Sequence, residues 1–183
     1  MLVDIESNRL SRKWRTSELF VRALWAVVQP LFRFSPRVCW GWRTSLLRLF
    51  GARVGRKVHI YPTVKITIPW NLAIGDHAAI GDRVIIYNLG MLTVGAAVTI
   101  SQDAHICGGT HEYRKVDMGL VKAPIAIGEG AWICADAFIG PSVIVGEYAI
   151  VGARAVAVRN VKPWTIVAGN PAKKIGQRPR PMP

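Results

Sequence analysis

The chain has 183 residues and contains 17 glycines, with 51% of its residues hydrophobic and 19% charged. This length suits one domain with an appendage, and this composition excludes a disordered protein and is typical of a β-rich globular one. The three cysteines (Cys39, Cys107 and Cys134) are too few and too odd in number for a disulfide framework, which favours a reducing, cytoplasmic compartment.

The formal net charge of +13 is concentrated near the N-terminus. Residues 1–57 carry 12 Lys and Arg against 3 acidic residues, whereas the rest of the chain carries 12 against 8. Four of the seven tryptophans lie in the same segment, at Trp14, Trp25, Trp40 and Trp42. No nucleic-acid-binding motif accompanies this charge, so nucleic acid is not an expected partner.

Residues 1–53 are predicted to form a basic, tryptophan-rich helical segment. Its most apolar stretch, LFVRALWAVVQPLFRF, is interrupted by Arg22, Gln29 and Pro30 and is shorter than the roughly 20 apolar residues of a membrane span. It lacks a small-residue cleavage site, so no signal peptide is expected. Two interpretations remain open: helices that cap the β domain, and helices in residues 1–50 that lie on an anionic membrane surface.

From Val54 onward the sequence repeats every six residues. An aliphatic residue begins each unit, the fifth position of the regular units is Ala or Val, and the second position is often Gly. A short strand and a glycine-assisted corner, repeated three times, make one triangular coil, and neighbouring coils bury each other's apolar faces. The repeat predicts an all-β fold, a parallel β-helix of about five coils over residues 54–170, followed by a short basic C-terminal tail at 171–183.

Three gaps interrupt the repeat, and all of them follow the third unit of a coil, which places them at one corner of the prism. The third gap, between Ile106 and Ile127, adds fifteen residues and predicts an inserted loop at 107–126. Insertions at a solenoid corner cost little loop-closure free energy and gather on the working face. The loop therefore marks the candidate site.

His111 stands at the root of this loop, directly after Gly108, Gly109 and Thr110. The glycines are expected to permit backbone conformations that other residues resist and to let a ligand come close. Imidazole can accept a proton near neutral pH, which suits a general base. The alternative is an ordinary loop histidine.

The motifs ICGGTHEY, IGEGAWICADAFIG and AGNPAKKI resemble the hexapeptide-repeat sugar O-acetyltransferases of the maltose, galactoside and nodulation-factor group. The resemblance is strongest to the colanic-acid type of exopolysaccharide acetyltransferases, which also share text similar to WRTSLLRLFGARVG and IYPTVKITIPWNLAIG. It covers residues 37–176. It implies a left-handed β-helix, transfer of acetyl from acetyl-CoA to a sugar hydroxyl of a glycan precursor, and a homotrimer with sites between subunits.

The resemblance also implies roles for individual residues. It places the catalytic histidine on His111. Apart from the resemblance, the position of Asn88 at an earlier instance of the loop's corner predicts that it orients the acceptor sugar, with Tyr87 or Tyr113 as alternatives. The positive charge of Arg178 suits a contact with the CoA phosphates. Contacts with acetyl-CoA are expected at Ala135, Ala153, Val158, Arg159, Lys173 and Lys174. Since relatives often carry Ser and Thr where this chain has Ala135 and Val158, backbone groups would serve there.

Some of these residues allow other interpretations. Cys107 could be a nucleophile, but Cys107 and Cys134 occupy second positions of their units, where small residues pack. A zinc site of His77, His105 and His111 does not match the spacing of the β-helix carbonic anhydrases, so no metal is expected. His59 and His105 fall at sixth positions and are predicted wall residues. The rival function is a non-catalytic β-helix scaffold or binding subunit.

Overall fold

The computed structural model describes residues 3–180. Three helices come first, α1 (Ile5–Leu10), α2 (Thr16–Arg33) and α3 (Trp40–Leu49). None of them combines the length and the hydropathy that a transmembrane helix needs. All remaining regular elements are strands, apart from a 3₁₀ turn at Pro69–Asn71.

The strands wind into five complete coils and part of a sixth. The first coil holds β1 (Arg53–Val54), β2 (His59–Ile60) and β3 (Lys65–Ile66), and the second β4 (Leu72–Ile74), β5 (Ala79–Ile80) and β6 (Ile85–Tyr87). The third holds β7 (Leu92–Val94), β8 (Thr99–Ile100) and β9 (His105–Cys107), after which β10 (Gly109–His111) and β11 (Leu120–Lys122) leave the prism. The fourth holds β12 (Ile125–Ile127), β13 (Trp132–Ile133) and β14 (Phe138–Ile139), and the fifth β15 (Ile144–Val145), β16 (Ile150–Val151) and β17 (Val156–Ala157). The chain ends with β18 (Thr165–Ala168) and β19 (Lys173–Gln177).

Strands of successive coils pair in parallel and form three flat faces. Face A contains β1, β4, β7, β12 and β15; face B contains β2, β5, β8, β13, β16 and β18; face C contains β3, β6, β9, β14 and β17. The register places each aliphatic first-position residue on its equivalent, as in Ile60, Ile80, Ile100 and Ile133 along face B. The predicted left-handed parallel β-helix is confirmed, and the sixth, partial coil extends it by one bridge at Val161 and by β18.

The interior is a continuous column of aliphatic side chains. Apart from the half-buried Val54, the first-position residues are almost completely buried, and the Ala and Val residues of the fifth position fill the space between them. The narrow prism explains the restriction to Ala and Val, because a larger side chain would force the coil open.

The corners differ from the expectation in one respect. The second-position glycines are not the residues with left-handed backbone; that conformation belongs to the fourth position, as at Lys57 (φ 53°), His77 (φ 60°) and Ala97 (φ 54°). The glycines are needed for space instead. A Cβ added at Gly95 would lie 2.6 Å from the backbone nitrogen of Glu129 in the next coil.

The helices α2 and α3 cap the first coil. Trp25 and Phe32 of α2 and Leu47 of α3 are buried in the same hydrophobic cluster as the prism interior. The indole nitrogen of Trp25 donates to the carbonyl oxygen of Ile66, 2.9 Å away, which satisfies a polar group at the open end of face C. The two helices therefore cover the apolar end of the first coil.

Arg43 of α3 is completely buried and holds this cap together. Its guanidinium donates to the hydroxyl of Ser35 at 2.9 Å, to the carbonyl oxygens of Pro36 at 2.8 Å and Arg37 at 2.6 Å, and to the carbonyl oxygen of Ile60 in β2. Burial lowers the pKa of Arg43 from its ordinary value. One side chain thus links the α2–α3 turn to the first coil.

The other end of the prism is covered by the C-terminal residues. β19 pairs antiparallel with β18, and the backbone of Gly169 and Ala172 bonds to Val156 of β17. Arg178 donates to the carbonyl oxygen of Gly130 at 2.8 Å and to that of Tyr148 at 3.3 Å. The tail is therefore a second cap, and Arg178 is engaged within the chain rather than directed at a phosphate.

Candidate active site

The long insertion forms a β-hairpin at the corner between faces C and A. β10 and β11 pair antiparallel, with Gly109 opposite Lys122 and His111 opposite Leu120. The residues between them, 112–119, form the hairpin tip, of which Tyr113, Arg114 and Lys115 are exposed and the others half-buried. The hairpin leaves the prism after the third coil and returns in time for β12 to continue face A.

Gly108 and Gly109 fix the root of the hairpin by their small size. A Cβ at Gly108 would lie 2.9 Å from the carbonyl oxygen of Ala123, and one at Gly109 would lie 2.6 Å from the ring of Tyr87. Neither glycine has a positive φ. The expectation of an unusual backbone conformation is therefore wrong; these positions must lack a side chain because Ala123 and Tyr87 pack directly on the backbone.

His111 is exposed, and its ring is held by one hydrogen bond. Nδ1 lies 2.7 Å from the carbonyl oxygen of Met118, on the opposite side of the hairpin tip. A carbonyl oxygen only accepts, so Nδ1 carries the hydrogen and Nε2 of the neutral ring keeps its lone pair. A histidine in this state can take a proton at Nε2 while a fixed acceptor stabilises the resulting cation at Nδ1.

No carboxylate performs this orienting role. Asp103 forms an ion pair with Arg83 at 2.6 Å, which also lowers the pKa of Asp103, first through their hydrogen bond. Glu112 accepts only a long bond of 3.4 Å from the backbone of Arg114. The backbone of Met118 takes the place that a carboxylate often occupies beside a histidine base.

The three expected acceptor residues have different surroundings. Tyr87 packs its ring on Gly109, two residues from His111, and is 38% exposed; Tyr113 on the hairpin tip is 74% exposed. Asn88 is 1% exposed, its Oδ1 accepts from the nitrogen of Ile68, and its Nδ2 donates to the carbonyl oxygens of Ile68 and Asn71. The hypothesis that Asn88 orients a sugar is at odds with this arrangement, because every polar atom of its side chain is engaged within the chain.

The expected CoA contacts lie toward the C-terminal end of the prism. Ala135 and Ala153 occupy stacked turns between faces B and C, joined by the bond from Arg154 nitrogen to the Ala135 carbonyl at 3.0 Å. Val158 and Arg159 are exposed at the corner between faces C and A. That is the corner of the hairpin, two coils further on, roughly 10 Å along the axis at the usual strand spacing.

Lys173 and Lys174 are exposed on β19, where they pair with Ala168 and Val167 of β18. A Cβ at Gly152 would lie 3.2 Å from Cβ of Ala168, so these lysines stand beside the turn that carries Ala153. The structure thus gathers the cations and the two alanines at one end of the prism.

The remaining candidates are accounted for by packing. His59 stacks on Trp40 with 4.7 Å between ring centroids, and His105 meets Phe138 edge-on at 5.4 Å, as wall residues do. Burial lowers the pKa of His105. Burial raises the pKa of the Cys134 thiol, which disfavours the reactive thiolate. Within residues 3–180, His77, His105 and His111 do not converge, and no group of His, Cys, Asp or Glu is placed to hold a metal ion.

Sequence comparison decides the family. The chain is 42% identical over 158 residues to WcaF of Escherichia coli K12, named as a colanic acid biosynthesis acetyltransferase, and the match covers 86% of this chain and 87% of that protein. The chain belongs to the hexapeptide-repeat acetyltransferases. The resemblance seen in the motifs and the predicted enzyme class, an acyltransferase, are confirmed.

Other hexapeptide-repeat acetyltransferases agree with this assignment. The galactoside O-acetyltransferase of Escherichia coli K12 is 28% identical over 73% of this chain and 67% of its own. A galactoside acetyltransferase in complex with coenzyme A has a TM-score of 0.82 at 23% identity, over 94% of this chain and 88% of the other. A Vibrio cholerae hexapeptide-repeat acetyltransferase with acetyl coenzyme A also has a TM-score of 0.82 at 23% identity, over 92% of each chain. No family model matches the chain.

Proposed function

We propose that this acetyltransferase transfers the acetyl group of acetyl-CoA to a sugar hydroxyl of an exopolysaccharide or other glycan precursor, with His111 as the general base. The observation that carries the proposal is the bond from Nδ1 of His111 to the Met118 carbonyl, which leaves Nε2 of this exposed residue free to accept a proton. The names of WcaF and the galactoside O-acetyltransferase support the acceptor class.

The reaction needs one proton to move twice. Nε2 of His111 accepts the hydroxyl proton as the sugar oxygen attacks the thioester carbonyl carbon, and the imidazolium keeps its Nδ1 hydrogen bond to Met118. Collapse of the tetrahedral intermediate breaks the carbon–sulfur bond, and the proton passes to the departing thiolate of CoA. The products are the acetyl ester and CoA thiol, and the histidine returns to its neutral form.

The donor is proposed to lie toward the C-terminal end of the prism, where Ala135 and Ala153 occupy one corner and Val158 and Arg159 the next corner. Ala135, Ala153 and Val158 would contact it through backbone groups, and Arg159, Lys173 and Lys174 would meet the CoA phosphates. Exposed cations gathered at one end of the chain suit a ligand with several negative charges. The acceptor would contact Tyr87 and Tyr113 on the hairpin side.

A single protomer presents His111 on an open wall. Two large apolar side chains are exposed on the faces of the prism, Trp132 on face B and Ile144 on face A. We propose a homotrimer in which a neighbouring prism closes each site, as the family resemblance implies. Light scattering on the purified chain tests this directly, and a monomeric mass at micromolar concentration would contradict it.

A further proposal concerns the place where the enzyme works, the inner face of the cytoplasmic membrane. α2 exposes an apolar stripe, defined here as Phe20, Leu24, Val27, Leu31 and Phe34, while its opposite side packs on the first coil. The spacing of 4, 3, 4 and 3 residues places these side chains on one side of the helix. Because the surrounding segment has a large excess of Arg and Lys, an anionic lipid surface is the occupant that matches both the apolar stripe and its charge.

The function is tested by thiol release from acetyl-CoA with a panel of monosaccharides and oligosaccharides. His111→Ala should lower kcat with the best sugar about 10²–10⁴-fold, the usual contribution of a positioned base. Product analysis by mass spectrometry must show one added acetyl group on the sugar. Equal rates for the two proteins would contradict the assignment, and no thiol release from the wild-type protein with any glycan would favour the scaffold hypothesis.

A further inference from the structure

We infer that Asn8, in the N-terminal helix α1, is a positioning residue that holds the base His111 through the Met118 carbonyl; this rests on the proposed role of His111. Asn8 is 7% exposed and is the one buried residue of α1. A polar side chain that is buried in an otherwise exposed helix has a specific partner, and here the partner is the tip of the hairpin.

The amide of Asn8 uses both of its N–H groups on the hairpin tip. Nδ2 donates to the carbonyl oxygen of Asp117 at 2.6 Å and to that of Met118 at 2.5 Å. The second oxygen is the one that accepts from Nδ1 of His111 at 2.7 Å. Met118 is therefore held from one side by Asn8 while it holds the imidazole on the other.

The orientation of this amide is itself fixed. Oδ1 of Asn8 accepts from Nζ of Lys13 at 2.8 Å, so Nδ2 must face the two carbonyl oxygens. The rest of the segment contacts the hairpin too: Asp4 nitrogen donates to the Val116 carbonyl at 2.8 Å, and Nζ of Lys122 lies 3.6 Å from the ring centroid of Trp14. The N-terminal residues thus contact both the tip and the second strand of the hairpin.

The position of the tip depends on these contacts because the tip forms few other hydrogen bonds with the rest of the chain. Within residues 3–180, Asp4 and Asn8 are the only residues outside the hairpin that form hydrogen bonds with residues 112–119. Without Asn8, the Met118 carbonyl could turn to water and the imidazole would lose its fixed acceptor. A displacement of about 1 Å at a reacting group can cost 10²-fold in rate.

Asn8→Asp is the sharpest variant, because it keeps the shape of the side chain and replaces the donor by an acceptor that repels both carbonyl oxygens. We expect kcat in the thiol-release assay to fall about 10- to 100-fold, with the KM for acetyl-CoA within about twofold of wild type. Asn8→Ala should behave similarly. Ser11→Ala is the matched control: it removes a bond from the same helix to the backbone of Asn8 and leaves the tip untouched, so its kcat should be unchanged.

A double-mutant cycle separates positioning from general damage. In a His111→Ala background, Asn8→Asp should cause no further loss of kcat, because it acts only through the absent ring. An equal loss in both backgrounds would overturn the inference. So would a wild-type kcat for Asn8→Asp while His111→Ala is impaired; an unimpaired His111→Ala would instead refute the proposed function.

NMR of the histidine ring tests the inference without an activity assay. In ¹⁵N-histidine-labelled protein, the His111 ring should be the Nδ1–H tautomer in the wild type and a mixture of tautomers in Asn8→Asp. An unchanged tautomer together with an unchanged kcat overturns the proposal. Thermal unfolding of each variant shows that the prism, whose core α1 does not enter, has remained folded.

Discussion

The Nδ1 atom of His111 lies 2.7 Å from the carbonyl oxygen of Met118, across the tip of the inserted hairpin. Met118 has a positive φ of 44°, a conformation that Asn adopts easily and Pro cannot adopt. We expect Met118→Asn to keep kcat within about twofold, because the backbone and not the side chain holds the ring. Met118→Pro should lower kcat about 10²-fold by moving the carbonyl. Wild-type thiol release by Met118→Pro would show that this bond has no role in catalysis.

Gly95→Ala should destabilise the prism by about 2–3 kcal/mol. The added Cβ would lie 2.6 Å from the backbone nitrogen of Glu129. A backbone atom cannot move aside as the end of a side chain can. Gly41→Ala is the control, because a Cβ at that position of α3 meets nothing within 4 Å. Urea denaturation measures both free energies of unfolding. Equal stability of the two variants would contradict the argument that these glycines provide space between coils.

Arg43→Lys should lower the free energy of unfolding by about 2–4 kcal/mol. Lysine keeps the charge but cannot reach the several acceptors that the guanidinium joins, so buried carbonyl oxygens lose their donors. Arg9→Lys, at an exposed position of α1, is the control and should be nearly neutral. Chemical denaturation of the three proteins tests this; a stable Arg43→Lys would mean that the cap does not depend on the network.

His105 predicts a pH dependence of stability. Burial lowers its pKa below the ordinary 6.5, so the unfolded chain binds a proton more readily than the folded one. The contribution of His105 to stability is therefore lost as the pH falls from above 6.5 toward the lower, folded pKa. His105→Gln should flatten the fall in unfolding free energy between about pH 7 and pH 5. The same slope in His105→Gln would assign it to other groups.

The apolar stripe on α2 predicts binding to anionic vesicles. The wild-type chain should sediment with vesicles of phosphatidylglycerol and phosphatidylethanolamine, and less with neutral phosphatidylcholine or in high salt. Leu24→Glu with Val27→Glu should lower binding at least tenfold, because two charges would enter the lipid boundary. Leu49→Glu, an exposed residue outside the stripe, is the matched control. If the stripe variant instead loses a self-associated state and binds vesicles normally, the stripe contacts another copy of the chain.

The fold was almost completely predictable because the six-residue repeat determines which residues of successive coils pair with one another. Ile60, Ile80 and Ile100 recur in sequence at the positions where they stack in space. The role of the glycines was not predictable, because the sequence shows which residue lacks a side chain but not which neighbour requires the space. Lys57 and His77 carry the left-handed backbone without any signal of residue type.

The candidate site was predictable only in part. His111 stood out because it interrupts a strict pattern, whereas its orienting partner is a backbone carbonyl, and every residue has one. Asn8 lies 103 positions from His111 in a segment without a repeat, so no spacing connects the two. The corner position of Asn88 predicts a contact with the sugar, whereas in the structure its amide forms all its hydrogen bonds with Ile68 and Asn71.

The two caps have a consequence for how copies of this protein can add to one another. A β-helix that ended in bare strands would offer unpaired N–H and C=O groups at each end, and further copies could join end to end without limit. Here α2 and α3 cover one end, and β19 turns back antiparallel on β18 at the other, so neither end repeats the parallel pairing of the coils. Contacts along the sides of the prism, where a ring can close on itself, are therefore favoured over end-to-end stacking into fibres.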